Sequence, residues 1–258
     1  MADTGALRQA CAQLVAVKSQ LDDWLAEGDA RGERRSLVGD GYSAWRRWQA
    51  RQPSPYVSPG HFHDSPWRKV PEPCHFLATA LPAADFQTVR FDRAHAGPDK
   101  RPRTEVESSL VVGGLWRRPF ERDLRGDPRA VLAAINASGG AQYARVGDLP
   151  LYAAVEGKNR VSLAQREGLQ VTAEVATAAF PEAGCLRLHR VHDEDTVAVA
   201  VSQVDGGEPQ FLPLPQESTA VLAAYGDLWH RSVMGARERQ QAALDAARER
   251  LIGWTLMP

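Results

Sequence analysis

The chain of 258 residues has few cysteines and no long apolar run. Its three cysteines, Cys11, Cys74 and Cys185, do not show the spacing of metal ligands, and their odd number favours a reducing compartment over a disulfide framework. No apolar stretch approaches the roughly 20 residues that a membrane-spanning helix needs. Residues 1–5 lack the basic and apolar blocks of a secretory signal. We therefore expect a cytoplasmic protein that is not inserted in a membrane.

The chain also lacks an excess of charge of either sign, because 31 Lys and Arg residues are balanced by 32 Asp and Glu residues. Binding of nucleic acid would therefore depend on local basic patches. Such patches lie at residues 31–51, 100–103 and 116–125, where the first and third mix Arg with Trp. From the second and third we predict a DNA-binding set, which is Lys100, Arg101, Arg103, Arg117 and Arg118. The alternative is that these Arg side chains lie over Trp rings as a solvated cover.

Apolar residues are plentiful, at 43% of the chain, and they divide it into three segments. Residues 6–27 repeat apolar side chains near a 3.6-residue period, so we predict a helical N-terminal extension over residues 1–52. Residues 53–75 are dense in Pro and predict a linker. Residues 76–258 mix apparent strands and helices, which predicts one α+β domain with strands and helices after its core.

Within that domain, local signals predict the individual elements. We expect strands at residues 76–80, 87–91 and 109–116. Asp127 and Pro128 are a cap and a first-turn residue for a helix over residues 127–136, which Ser138-Gly139-Gly140 would end. The predicted later elements are strands at 185–191, 196–203 and 210–214, a turn at 205–207, and helices at 215–225 and 234–251.

The most informative segment is residues 151–175, which predict a strand, a turn at Gly157, a short helix, a stop at Gly168 and a second strand. The pattern Gly-x-x-Arg occurs seven times in the chain, so the tetrapeptide alone indicates little. Only the copy at Gly157 follows an apolar strand, whose residues Leu151, Ala153 and Val155 share one face. Its surroundings therefore distinguish it from the other six.

A helix that begins at Gly157 would present free amides and the positive end of its dipole, which together favour a bound phosphate. We predict that Gly157, Lys158, Asn159 and Arg160 bind the phosphate, with Arg160 forming the paired hydrogen bonds. Glu156 and Arg160 are the predicted catalytic residues, Glu156 holding a metal or orienting water. The alternative is that Arg160 is a surface residue paired with Glu156.

Other polar clusters are weaker metal-site candidates. His61, His63 and Asp64 place two imidazoles and a carboxylate together, and residues 189–195 form a second cluster that includes His189 and His192. Ordinary loop and turn positions explain both more simply. The metal ligands stay unassigned.

The run Tyr152-Ala-Ala-Val-Glu-Gly-Lys-Asn-Arg160, with Ala164, Gly168 and the strand that follows, resembles the ParB/sulfiredoxin-like superfamily. The resemblance covers about residues 108–178 and implies a core of that fold. Sulfiredoxins carry a catalytic Cys directly after the motif glycine, where this chain has Lys158. Thiol-based sulfinic acid reduction is therefore excluded. Partition ParB proteins continue into a helix-turn-helix, whereas this chain continues into Val-rich strands.

The nearest resemblance is to plasmid fertility-inhibition proteins of the Osa type. It implies binding of ATP or another nucleotide and of DNA, an Mg²⁺-dependent DNase activity, and inhibition of conjugative transfer through type IV secretion components. One alternative is a non-catalytic protein that inhibits by occupying the transfer machinery. Another is a plain DNA-binding regulator.

Overall fold

A computed structural model of the chain describes residues 4–30, 72–91, 103–114, 127–193, 196–205, 210–212 and 214–226. These residues form an α+β fold, as predicted. The helices are α1 (Thr4–Ala30), α2 (Pro73–Ala80), α3 (Pro128–Ser138), α4 (Lys158–Glu167) and α5 (Pro215–Tyr225). The strands are β1 (Thr104–Glu107), β2 (Val111–Val112), β3 (Gln142–Val146), β4 (Tyr152–Glu156), β5 (Gln170–Ala178), β6 (Leu186–Asp193), β7 (Thr196–Gln203) and β8 (Gln210–Phe211).

Two sheets organise the strands. The larger has five strands in the order β1-β5-β3-β4-β2, and the smaller is β6-β7-β8. In the larger sheet β3 is central, antiparallel to β4 and parallel to β5. Helix α4 therefore carries the chain from β4 over β3 to β5. The smaller sheet is antiparallel throughout.

The five-stranded sheet has an apolar cluster on each face. Ala144, Val146 and Ala153 point to one face, where residues of α1, α2 and α5 pack. Tyr143 and Ala154 point to the other, which is covered by α3 and α4. Because successive residues of a strand alternate between faces, β3 and β4 contribute to both clusters. We call these the α1 face and the α4 face.

Helix α1 confirms the helix predicted at residues 6–27 and extends it to Ala30. Its residues Leu7, Cys11 and Leu14 lie in the cluster on the α1 face. Helix α2 begins at Pro73, so its first turn occupies the last three residues of the predicted linker. The rest of that linker, before Glu72, and residues 31–52 lie outside the described residues. The three-segment division therefore stays a prediction.

The predicted strand at residues 76–80 is wrong, because this run belongs to helix α2. Phe76, Leu77, Ala80 and Leu81 are buried at helical spacing. Pro73 occupies a first-turn position where no amide hydrogen is needed. A five-residue apolar run does not distinguish a strand from a helix, and the prediction of a strand was wrong for that reason.

Two further strand predictions need correction. Residues 86–88 form a 3-10 turn instead of a strand at 87–91, and the Asp85 carboxylate accepts a hydrogen bond from the Gln87 amide at 2.9 Å. The strand expected at 109–116 is reduced, in its described part, to Val111–Val112, because Ser108–Leu110 turns into a 3-10 helix. Strands β1 and β3 were not expected at all.

The remaining predictions agree where the structure describes them. Asp127 caps α3, its carboxylate accepting from the Arg129 amide at 3.2 Å, and Gly139 ends the helix. Helix α5 and strands β6 and β7 lie at the expected places, while β8 ends at Phe211. The helix expected at 234–251 falls outside the described residues. Among those residues, no helix is long and apolar enough to cross a membrane.

Candidate phosphate-binding site

Gly157 joins β4 to α4 in a left-handed conformation, with φ 83° and ψ 22°. Residues with a Cβ are strained there, and a Cβ on Gly157 would lie 3.2 Å from the Cβ of Ala141 and 3.6 Å from Nε of Arg160. The position therefore favours glycine for its backbone angle, and an added Cβ would also press against Ala141. This confirms the predicted strand–turn–helix unit, which Gly168 ends with φ 63° before β5.

The first turn of α4 keeps amides without helical acceptors. The Gly157 carbonyl accepts hydrogen bonds from the amides of Arg160 and Val161, at 3.0 and 3.3 Å. The amides of Lys158 and Asn159 precede the first residue that a helical carbonyl can satisfy. Gly157, at the cap position, has no side chain to bind them. The turn thus presents amide donors at the positive end of a ten-residue helix.

Arg160 reaches from this turn to the end of α3. Its Nη2 donates to the Gly139 carbonyl at 2.9 Å, whereas Nε and Nη1 are shielded from solvent and have no hydrogen-bond partner among the described residues. No described carboxylate forms an ion pair with it, so the alternative pairing with Glu156 is not seen. Burial lowers the pKa of Arg160, the nearby Tyr143 raises it, and the charge of Arg103 lowers it. The guanidinium stays charged but is incompletely satisfied.

Tyr143, on β3, adds a second unsatisfied group on the same face. The residue is fully buried, and among the described residues its hydroxyl has no hydrogen-bond partner. Burial raises the pKa of Tyr143 above its ordinary value, and the charge of Arg160 opposes the shift. The hydroxyl therefore stays protonated and can donate. Sequence reasoning missed this residue because it did not predict β3.

Arg103 is a second guanidinium on this side of the fold. Its Nη1 lies 3.4 Å from the carbonyl oxygen of Asn136 and 3.3 Å from that of Ala137, at the end of α3. The guanidinium also lies against Gly139, which has a φ of 79° and at which an added Cβ would force the Arg103 side chain to shift. Arg103 belongs to the predicted DNA-binding set. The other members, Lys100, Arg101, Arg117 and Arg118, lie outside the described residues.

Lys158 is paired with a carboxylate, whereas the sequence predicts that it binds phosphate. Its ammonium group forms an ion pair with Glu72, the residue before α2. Its stem lies against Gly114, whose amide approaches the Lys158 carbonyl at 3.5 Å. Since Glu72 neutralises it, Lys158 contributes less positive charge to the turn than Arg160 does. The carboxylate of Glu72 lies 86 residues away in the chain.

Glu156 is exposed at the last position of β4, in register with Gln142 of β3. The side-chain amide of Gln142 donates a hydrogen bond to the carboxylate of Glu174 on β5 at 3.2 Å. Among the described residues, no group of three or more His, Cys, Asp or Glu side chains is placed to hold a metal ion. The site as described therefore fits an anion, through Arg160, Tyr143 and the amides.

The described residues give no support to the two weaker candidate metal sites. His61, His63 and Asp64 lie outside them. The ring of His189 is hydrogen-bonded to the Ser202 hydroxyl, with Nε2 and Oγ 2.8 Å apart. For His192 the structure describes only its backbone in β6.

Neither of the two cysteines whose pKa is shifted has an activated thiol. Burial raises the pKa of Cys11 to about 12. Burial also raises the pKa of Cys74 to about 11, which nearby Lys158 opposes and Glu72 reinforces. Cys74 thus comes close to Lys158 in space, yet its thiol is protonated at neutral pH. A thiolate nucleophile needs a lowered pKa, so Cys74 does not replace the missing cysteine of sulfiredoxins.

Comparisons of the chain with models of protein families, with curated proteins and with solved structures found no match. The resemblance to the ParB/sulfiredoxin-like superfamily therefore stays a prediction, based on the turn and on the order of the elements around it.

Proposed function

We propose that this protein binds a phosphate group of a nucleotide or of DNA at the turn between β4 and α4. One observation carries the proposal: at the start of α4, Nε and Nη1 of the charged Arg160 guanidinium are shielded from solvent and lack acceptors among the described residues. Burying an unpaired charge is costly, and a bound oxyanion would offset that cost. Whichever hydrogen of Nη2 the Gly139 carbonyl accepts, one two-nitrogen edge of Arg160 stays open for a phosphate.

The order of elements supports a ParB/sulfiredoxin-like core as part of the proposal. Helix α3, strands β3 and β4, the Gly157 turn, α4, Gly168 and β5 follow one another in the chain, and apart from β3 this is the order that the resemblance implies. On this basis we propose a role like that of plasmid fertility-inhibition proteins of the Osa type. The protein would bind ATP or another nucleotide, together with DNA, and inhibit conjugative transfer in contact with type IV secretion components.

The non-catalytic form of this role needs only the anion-binding donors that the geometry provides. Arg160 and Tyr143 supply the donors for binding an anion, whereas Glu156 is exposed and not grouped with two further metal-binding side chains among the described residues. An Mg²⁺-dependent DNase activity, in which Glu156 holds the metal or orients water, is the second form. The two are separated by experiment.

The binding proposal is tested by titrating ATP into the purified protein and into Arg160→Lys, using calorimetry. Lysine keeps the charge but loses the planar pair of donors, so we expect the affinity to fall roughly tenfold or more. Arg166→Lys is the matched control, because Arg166 lies exposed in the last turn of the same helix. Equal ATP affinities of the wild-type protein and Arg160→Lys would contradict the proposal.

The catalytic form is tested by nicking of supercoiled plasmid with Mg²⁺, with and without ATP. If wild-type protein nicks the plasmid and Glu156→Gln does not, the DNase form is supported. If Glu156→Gln loses nicking but still inhibits plasmid transfer between cells, inhibition occurs by occupying the transfer machinery. Wild-type protein that binds ATP but never nicks DNA supports the non-catalytic form.

A further inference from the structure

The two cations of the predicted turn lie toward different sides of the five-stranded sheet. The Lys158 ammonium lies at the start of α2, where it pairs with Glu72, and α2 packs on the α1 face. Arg160 instead donates to the Gly139 carbonyl at the end of α3, and α3 covers the α4 face. In the structure, the two cations are therefore directed to different places.

Tyr143 lies on the same side of the sheet as Arg160. Its side chain belongs to the apolar cluster of the α4 face, together with Ala141, two residues earlier in the chain. The Cβ of Ala141 lies 3.2 Å from the position of a Cβ added at Gly157, and Nε of Arg160 lies 3.6 Å from that position. The Arg160 side chain thus runs beside the beginning of β3, on the face that carries Tyr143.

Tyr143 and Arg160 are close but do not satisfy each other. The Tyr143 hydroxyl and the Nε and Nη1 atoms of Arg160 are shielded from solvent, and among the described residues none of them has a hydrogen-bond partner. Burial raises the pKa of Tyr143 and the charge of Arg160 lowers it, so the two groups interact through space without a hydrogen bond between them. An acceptor placed between them would satisfy both.

We propose that the anion is bound between β3 and α4, where Tyr143 donates a hydrogen bond to it beside Arg160, and that the Lys158 side chain stays with Glu72. This inference rests on the proposed function and names the side chains that hold its ligand. An oxygen of a phosphate ester supplies the acceptor, and the amides at the start of α4 bind the same group. Tyr143 is then a binding residue, because its hydroxyl has no acceptor until an oxyanion is bound.

The role of Tyr143 is tested by titrating methyl phosphate, a phosphate ester without base or sugar, into the wild-type protein and into Tyr143→Phe. We expect the affinity to fall roughly tenfold, as for loss of a hydrogen bond to a charged group. Tyr152→Phe is the matched control and should bind as the wild type does, because Tyr152 lies at the opposite end of β4 from Gly157. Unchanged affinity in Tyr143→Phe overturns the inference.

Thermal unfolding of the ligand-free protein distinguishes a ligand-binding hydroxyl from a structural one. Tyr143→Phe removes a buried hydroxyl that has no partner among the described residues, so the melting temperature should stay the same or rise. A lower melting temperature, whatever the affinity, shows that the hydroxyl has a partner in the free protein, such as a buried water molecule. That result also overturns the inference.

The part played by Lys158 is tested with the double variant Glu72→Gln and Lys158→Gln, which removes both charges of the ion pair and leaves the net charge unchanged. We expect its affinity for methyl phosphate to change by less than about threefold, because the Lys158 side chain does not contact the anion. The single variant Lys158→Gln is less suitable, since it leaves the negative charge of Glu72 near the anion. A tenfold loss in the double variant places Lys158 in the site and overturns the inference.

The same variants separate this inference from the proposed function. If Arg160→Lys loses methyl phosphate binding and Tyr143→Phe does not, the site binds phosphate without Tyr143, and only the inference fails. If the wild-type protein binds neither methyl phosphate nor ATP, both fail. If it binds ATP alone, the affinities of the same variants are compared with ATP as the probe.

Discussion

Two polar clusters of this protein, one buried and one partly buried, differ in whether their charges are paired. In α1, which packs on the α1 face, the Lys18 ammonium donates to the Asp22 carboxylate at 2.5 Å, and the two residues are only 1% and 4% exposed. On the α4 face, Arg160 lies with Tyr143 and Arg103, and among the described residues no carboxylate is paired with Arg160. In the first cluster the cation is paired with an anion of the same helix. In the second, Nε and Nη1 of Arg160 have no partner among the described residues.

This difference indicates what a buried charge is for. A fold that buries a lysine for structural reasons pairs it with a carboxylate one helical turn away, as Asp22 does for Lys18. The same chain leaves Arg160 with two nitrogens unpartnered among its described residues. Buried donors are rarely left unsatisfied without a reason. The contrast supports the proposal that a ligand binds at Arg160.

The largest expected effect comes from breaking the matched cluster. Asp22→Ala leaves the Lys18 ammonium buried without its carboxylate, so we expect the free energy of unfolding to fall by about 3–5 kcal/mol. Arg160→Met removes an unmatched charge and one hydrogen bond to Gly139, and should change it by less than about 1 kcal/mol. Urea denaturation measures both.

The control for this prediction is the double variant Lys18→Met with Asp22→Leu, which removes both charges. It should recover most of the lost stability, because a buried ion pair is often replaced by apolar residues at little cost. A loss of about 3–5 kcal/mol in Arg160→Met would mean that Arg160 is matched in the free protein. The contrast between the two clusters would then be false.

An intermediate effect is expected at the two left-handed glycines that bound α4. Gly157→Ala and Gly168→Ala each place a Cβ at positive φ, which costs roughly 1–2 kcal/mol of stability. A Cβ at Gly168 meets no described atom within 4 Å, whereas one at Gly157 approaches Arg160 and Ala141. We expect only Gly157→Ala to lose methyl phosphate binding in calorimetry. If both variants bind as the wild type does, the Gly157 turn is not part of the ligand site.

The unit from β4 to β5 could be predicted because its signals are local. Leu151, Ala153 and Val155 alternate on one face before Gly157, and Val161 and Ala164 repeat at helical spacing after it, all within one short stretch. The structure buries Leu151, Ala153, Val161 and Ala164 completely. The length and order of this unit follow from neighbouring residues alone.

The rest of the site depends on contacts that are distant in sequence. Strand β3 is short and mixes Gln142 and Arg145 with apolar residues, and it is central only because β4 and β5 pair with it. Tyr143 was therefore not predicted as a site residue. The ion pair between Lys158 and Glu72, which are distant in sequence, was not predicted either. Arg103 was predicted to bind DNA, yet only the fold brings it close to Arg160.

The smallest expected effect concerns an exposed ion pair, Arg8 with Glu107, which sets a lower limit for the comparison of the two polar clusters. Both side chains are about half exposed, so Arg8→Ala should lower the free energy of unfolding by no more than about 1 kcal/mol, and less at high salt.

The pKa of Glu107 is lowered from its ordinary value first by the Ser109 hydroxyl, while slight burial opposes the shift and Arg8 adds to it. A lowered pKa in the folded state gives stability that is present at neutral pH and is lost as the pH falls through the folded pKa. Ser109→Ala should therefore raise the pKa of Glu107, followed by NMR titration of its carboxyl group, and Arg8→Ala should raise it as well. An unchanged pKa of Glu107 in Ser109→Ala would show that the Ser109 hydroxyl does not stabilise this carboxylate.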